Sequence, residues 1–367
     1  MAIVNQPCYT TREQVRRALD VKQAAYTDNQ VDRAICSATD AVESLTGRKF
    51  YPLDATRRWD WPNYQYSYPW KVWLDQYELA AIPTQVTTGS LLPNPVVIPV
   101  SAVICHPINE GPPFTRIELR RDMNFAFGYN NTPQLDIAIT GTFGYWMQTR
   151  AAGTLASSAL ATDLTLTVSD GVSTGVGDVI IVDSERMIIT GTRFIDTTIS
   201  YSGLSSASAA DNIVMVADGT KFTQGEVLQV DSEWILIQSI VGNTMVVKRA
   251  WDASILTSHG SGTLYARRQI NVLRGQLGTA AAIHSNNAPI VVNDVPSLAR
   301  QLAIAEAVVW LTQEPNAYGG QAAPQKAVTQ NRGGYGVSDP PAGAGISDLR
   351  QRVENNKITR KARTRVI

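Results

Sequence analysis

Apolar residues recur along this chain at two different periods. In TDNQVDRAICSATDAVESLTG (27–47), Val31, Ile35, Ala38, Val42 and Leu45 form one stripe at helical spacing. Thr27 or Asp28 is the candidate N-cap and Gly47 the stop. Upstream, Thr10-Thr-Arg-Glu13 reads as a capping box that opens a short helix to about Leu19. Far downstream, VNDVPSLARQLAIAEAVVWLT is apolar nearly all round from Leu298 to Leu311, interrupted by Arg300, Gln301 and Glu306. Asp294 is its expected N-cap and Pro296 lies just inside its start. A helix of that composition is buried, and it is the expected partner for the stripe at 31–45.

Between these helices the pattern shortens to runs of four or five residues: LTLTV, DVIIV, RMIIT, NIVMV, EVLQV and WILIQ, bounded by Gly, Asp or Ser. Those are strand and turn signals. The runs repeat. At an offset of 48, Asp170, Gly171, Gly177, Asp183, Ser184 and Glu185 meet identical residues, so that Val182–Arg186 and Val230–Trp234 read as related hairpin turns. A second echo, at an offset of 25, places Arg249 and His259 ten apart and Arg274 and His284 ten apart. The expectation is an all-β region from about Gly153 to about Val292, built of related hairpin units that bury their apolar faces by stacking. Further strands are expected before it, ending in QLDIAITGTFGYW.

Composition narrows the chemistry. At 367 residues the chain is long for one core, and 44% hydrophobic residues suffice for more than one. Net charge is zero, which gives no whole-molecule attraction to nucleic acid or membrane. Charge is uneven, however. Residues 151–265 hold 12 acids against 5 Lys and Arg, a net of −7, which makes the β region a poor DNA binder. Cys8, Cys36 and Cys105 are scattered, so neither a disulfide framework nor a zinc site is indicated. The first residues lack the pattern of a signal peptide, and no run approaches the roughly 18–20 apolar residues of a membrane span.

Chemical motifs are sparse. G-x-S-x-G, the P-loop, G-x-G-x-x-G after a strand, H-E-x-x-H and EF-hand loops are absent from the sequence. Asp183, Glu185, Asp231 and Glu233 have the chemistry of calcium ligands, but one D-x-E turn supplies too few oxygens and plain turns are expected. His259 and His284 stand in Ser/Gly/Asn-rich stretches and read as turn or hydrogen-bonded structural residues. No cofactor and no catalytic residue is assigned. An aromatic cluster, Tyr51 with Trp59, Trp61, Tyr64, Tyr66, Tyr68, Trp70, Trp73 and Tyr77, admits three readings: a protein interface, ordinary core, or a stacking platform for sugar or single strands. From Gln313 to Gly345 the chain is rich in Gly, Pro, Ala and Gln and reads as a flexible arm. ISDLRQRVENN follows as a short helix with Ser347 as cap. The chain then ends in KITRKARTRVI, whose Lys357, Arg360, Lys361, Arg363 and Arg365 suit an acidic protein groove, DNA, or solvent.

The order of YTTREQVRRALDV, DNQVDRAICSATDAVESLTGRKFYP, WLDQYEL, ITGTFGYW and VPSLARQLAIAEAVVWL resembles the head-to-tail connector, or adaptor, proteins of long-tailed double-stranded DNA phages. The likeness covers roughly residues 8–150 and 293–315. It implies a structural virion protein of the phage neck, made in the host cytoplasm. Twelve subunits would ring the DNA channel beneath the portal. The partners implied are the portal protein, the next connector or tail-completion protein, further copies of the chain, and passing double-stranded DNA, with no membrane. C-terminal segments of the family dock onto the portal. That role is carried here onto Ile346, Leu349, Arg350, Val353, Lys357, Arg360, Lys361, Arg363 and Arg365. Trp59, Trp61, Tyr64, Tyr66, Tyr68, Trp70 and Trp73 are the candidate subunit or partner interface.

Simpler family members pass almost directly from the last core strand to the buried helix, where this chain has about 140 further residues. The fold class expected is therefore α+β: a helical adaptor core with a small antiparallel β part, in two pieces (1–150 and 293–315). An all-β module of hairpin repeats (151–292) is expected to be inserted between them, and to project outward towards capsid or tail proteins. An arm, short helix and basic tail (316–367) would complete the chain. The alternative is a virion fibre, decoration or glycan-binding protein that works through the β module.

Overall fold

The computed structural model describes residues 4–19, 26–62, 68, 70–128, 132–145, 148–318, 344–356, 358 and 359. Helices α1 (Arg12–Leu19) and α2 (Asp28–Thr46) come first. Strands β1 (Leu53–Trp59), β2 (Lys71–Trp73), β3 (Gln85–Thr88), β4 (Val96–Ile98), β5 (Val103–His106), β6 (Arg116–Leu119) and β7 (Ile137–Phe143) follow. Next come β8 (Thr149–Thr154), β9 (Thr165–Thr167), β10 (Val179–Val182), β11 (Glu185–Gly203), β12 (Ile213–Val216) and β13 (Val227–Val230). Then come β14 (Glu233–Val241), β15 (Thr244–Lys248), β16 (Gly262–Gln276) and β17 (Pro289–Asn293), and finally α3 (Ser297–Tyr318) and α4 (Ala344–Asn355).

The expectation of a helical core with a small β part is overturned. The chain is 37% strand and 20% helix, with a closed six-stranded barrel and a large sheet, and the helices cover β structure rather than form the body. Part of the reason lies in β1–β7, which build a four-stranded sheet (β1-β7-β3-β4) and a three-stranded one (β2-β6-β5) around an apolar cluster of their own. The remainder lies in the repeat region, which shares its core with the helices. Val15, Val31, Ile35, Ala38, Ala307 and Leu311 pack in one cluster with Ile180, Val182, Met187, Ile189, Ile270 and Val292.

The helices form where the stripe placed them. Thr27 and Gln30 make the capping box of α2, and Gly47 ends it in the left-handed conformation at φ 65°. Val31, Ile35, Ala38 and Val42 are buried, and α2 lies against α3 through Val42, Ala299, Leu302 and Ala303. Three caps differ from expectation. At α1 the reciprocal bonds join Thr11 and Gln14, one residue on from Thr10 and Glu13. That shift releases Glu13 to accept from the backbone N–H of Val176 at 3.0 Å. At α3 the helix starts at Ser297, and Asp294 binds Arg300 at 2.5 Å instead of capping. Ser347 lies inside α4 instead of at its start.

The repeat region is two barrels nested in sequence: the inner one is inserted within a hairpin of the outer, and each packs around its own cluster. The inner barrel closes as β11-β12-β15-β14-β13-β16 and back to β11, around its own cluster of Leu204, Val214, Leu228, Ile235, Met245 and Leu264. The outer barrel uses β8-β17-β10-β11-β16-β9, and a bridge between Leu155 and Val168 draws its ends together. Both follow the same strand order. Two long strands belong to both barrels. Arg186–Arg193 pairs with Gln276–Gln269 in the outer one, and Ile195–Tyr201 with Ala266–Gly262 in the inner one. The outer hairpin reaches the pair Arg193↔Gln269 and runs on into the inner barrel. The equivalent inner pair, Val241↔Thr244, is closed by Gly242 and Asn243. The second copy thus occupies the tip of a hairpin of the first. This explains the two offsets: 48 for the half of each barrel before the insertion, 25 for the half after it.

Candidate functional site

The two echoes meet in space. Glu185 belongs with the later pair, Arg274 and His284. Glu233 belongs with the earlier pair, Arg249 and His259. Each glutamate opens the strand after a two-residue turn, at whose first position Asp183 (φ 53°) and Asp231 (φ 49°) hold left-handed backbone that aspartate tolerates.

Glu233 is fully buried and accepts five hydrogen bonds. They come from Nε and Nη2 of Arg249 at 2.8 Å each, the N–H groups of Ala250 (2.9 Å) and Thr257 (3.1 Å), and Nε2 of His259 at 2.9 Å. Arg249 gives its other protons to the carbonyls of Ser206, Asp211 and Thr257, so all five guanidinium donors are used. Glu185 repeats the set with Arg274 at 2.7 and 2.8 Å, Gly275 N at 2.8 Å, Ala282 N at 2.9 Å and His284 Nε2 at 2.9 Å. Arg274 donates to the carbonyls of Leu160, Asp163 and Ala282. Nδ1 of each histidine faces an aspartate: His259 to Asp231 at 2.8 Å and His284 to Asp183 at 2.7 Å.

These clusters are pins. Burial by itself pushes both glutamates up, but the guanidinium, the two backbone N–H groups and the histidine hold each down to about 2. The histidine rings are wholly buried, and each spans from its buried glutamate to an exposed aspartate. Among the described residues no group of three or more His, Cys, Asp and Glu is arranged to hold a metal ion. The plain-turn reading of the D-x-E segments omitted these long-range partners, which sequence proximity does not reveal.

A second focus is Phe50, which is fully buried. Tyr9 packs edge-on against it at 5.4 Å and Tyr145 at 5.5 Å. Tyr9 Oη accepts the Phe50 N–H at 2.9 Å and donates to Glu43 at 2.8 Å. Asn293 donates to the Phe50 carbonyl at 3.0 Å, and Arg48 pairs with Glu78 at 2.9 Å. Beside this focus lies a cleft of about 870 Å³ lined by Arg48, Lys49, Arg57, Tyr77, Glu78 and Tyr145 among others. The Arg57 guanidinium sits 3.8 Å from the centre of the Tyr77 ring and 5.2 Å from that of Phe143.

The sequence-derived interface residues separate. Trp59 and Trp61 are core side chains. Trp70 and Trp73 are half-buried, with Arg121 over Trp70 at 4.7 Å and Arg116 over Trp73 at 5.0 Å. Tyr68 is exposed and packs on Trp70 at 5.0 Å. Tyr64 and Tyr66 lie outside the described residues, as do Lys357, Arg360, Lys361, Arg363 and Arg365. In α4, Val353 is fully buried, and Ile346 and Leu349 pack on the same cluster as Phe50 and Leu302. Arg350 grips Glu306 of α3 at 2.6 and 2.7 Å. The apolar face of α4 is therefore turned towards its own chain.

No known protein family, no curated protein and no solved structure matches the chain.

Proposed function

We propose that this chain is a structural adaptor of the phage neck, ringing the DNA channel beneath the portal. One observation carries the reading: the five segments behind the adaptor resemblance converge on Phe50. Tyr9 comes from YTTREQ, Arg48 and Phe50 from TGRKFYP, Glu78 from WLDQYEL and Tyr145 from ITGTFGYW, while Asn293 leads directly into the VPSLARQ helix. Phe50 and Asn293 meet across 243 residues of sequence, and the segments assemble one compact unit, which supports treating them as a single ancestral domain.

In this reading the ring forms by head-to-tail contacts, which close when the rotation between copies allows. The cleft beside Phe50, with its cations and rings, lies on the unit that makes those contacts. Portal docking falls to the outward face of α4 and to the cationic tail, because Ile346, Leu349 and Val353 are occupied by α3. The outer barrel shares its core with the helices, so in this reading the inner barrel, with a cluster of its own, is the part free to touch capsid or tail proteins.

The test is a symmetric reconstruction of the neck of the virion that contains this chain. The expected result is a twelvefold ring beneath the portal, with residues 344–367 against the portal. Density for the chain on the capsid surface or at the tail tip would overturn the adaptor assignment.

A further inference from the structure

The two barrels share their scaffold and pin, so the places where they differ show what the fold does not require. The clearest difference is one cross-strand pair. In the outer barrel it is Ile181↔Val291, aliphatic on both sides. In the inner barrel it is Gln229↔Tyr265. Beyond that pair β13 and β16 part, and the gap is a groove of about 640 Å³, a size usual for small-ligand sites.

The groove has a mixed lining. Tyr201 and Phe194 contribute ring surface, and Tyr265 is 41% exposed. Gln229 donates Nε2 to the Asp231 carbonyl at 2.7 Å, which leaves its side-chain oxygen as an acceptor. Asp231 uses one carboxylate oxygen on His259 and has a side chain 75% exposed. The hydroxyls of Ser261 and Thr263 make no hydrogen bond among the described residues, and Gly260 and Gly262 leave the rim low. Among the described residues no lysine or arginine lines it.

We infer that this groove binds a neutral or N-acetylated saccharide. A pyranose has an apolar C–H face that packs on a tyrosine ring, and a rim of hydroxyls that needs donors and acceptors together. The groove supplies both. An anionic ligand is disfavoured by Asp231 and by the −7 charge of residues 151–265. A cationic peptide would use the carboxylate and the rings but has no flat C–H face to lay on Tyr265, and its retention is one outcome of the test below. The outer barrel closes with the same pin and without the tyrosine, so Tyr265 is not needed to build the fold. The inference does not depend on the ring: a ring that binds no sugar would overturn this proposal alone, and sugar binding without a ring would overturn the adaptor reading alone.

The experiment is to pass the full chain over an array of neutral, N-acetylated, sulfated and sialylated oligosaccharides, together with the peptide KITRKARTRVI. Hits are then titrated by tryptophan fluorescence, since Trp234 packs on Phe194 at 5.2 Å. At least one neutral or N-acetylated oligosaccharide should be retained. Tyr265→Ala should weaken it about tenfold or more, while Tyr265→Phe keeps the ring and the binding. Ser261→Trp, at an exposed position, should fill the groove and abolish binding with the melting temperature unchanged. That variant keeps the test decisive if Tyr265→Ala unfolds the barrel. The proposal is overturned by retention of sulfated or sialylated sugars only, of the peptide only, of nothing, or by binding indifferent to Tyr265→Ala and Ser261→Trp.

Discussion

At the residue scale, stability is concentrated in two guanidinium–carboxylate pins and withheld at one aspartate. Replacing Glu233 by Gln leaves the buried Arg249 charge uncompensated and should cost about 3–5 kcal/mol. Asp231→Asn, at an exposed side chain, should cost less than about 1 kcal/mol. Calorimetry of the full chain would show a lowered inner-barrel transition for the first and little change for the second. The pins also set an acid limit. A carboxyl held below its ordinary 4.5 stabilises the fold above that value and loses the contribution as pH falls towards 2. The free energy of unfolding followed from pH 6 to pH 2 should therefore fall steeply, and less so in Glu233→Gln. Asp178 has the opposite sign. Burial pushes it up to about 7 against the opposing pull of Arg150 at 3.6 Å, of Arg300 and of the Gly175 N–H at 3.0 Å, whereas its counterpart Glu226 holds Arg268 at 2.6 Å. Stability from this group is full below its ordinary 3.8 and is lost as pH rises through about 7. Asp178→Asn should thus raise the melting temperature at pH 8 and leave it nearly unchanged at pH 4. None of these partnerships was legible in sequence, because Asp183 and His284 are 101 residues apart.

At the element scale, nesting makes each barrel separately testable. The inner one contains its own core and every member of its pin. A fragment spanning Ile195–Ala266 should fold with a cooperative melt; a fragment that stays unfolded by circular dichroism would show that the outer barrel props it. Conversely, joining Arg193 to Gln269 through Gly-Asn, the turn used between Val241 and Thr244, should leave the outer barrel and helices folded. Much here was legible. Thr27 and Gly47 bounded α2, and EVLQV and WILIQ marked β13 and β14, because a local apolar period and a cap suffice for such elements. The length of β11 was not. It runs 19 residues through register shifts at Ile188, Gly191, Ile195 and Ser200, and bulges scramble the alternation that a sequence reading needs. The nesting was written in the two offsets, yet stacked repeats were expected, because an offset gives similarity and not connectivity. The helical core failed for a related reason: an apolar helix face shows that something covers it, and here β strands share that task with other helices.

At the scale of the whole molecule, the chain is built outward from the Phe50 focus: helices with the two short sheets, outer barrel, inner barrel. Glu13 ties α1 to the outer barrel, and close approach there needs Gly177, at φ 104°, whose added Cβ would lie 2.9 Å from Cβ of Cys8. Gly177→Val should therefore loosen the helices from the barrel, read as faster hydrogen exchange in α1 with the inner barrel unaffected. The groove sits on the part of the chain farthest along this series, and the proposed ring would present a crown of such grooves. The inner barrel, for its part, still ends in the kind of two-residue turn that the outer one gave up. Gly242 and Asn243 thus form an unused growing point. A third copy can enter there while everything beneath keeps its pairing, so reach from the base becomes a count of rounds of insertion. A lineage of such chains would differ in stature by whole barrels, and its youngest material would lie at the tip.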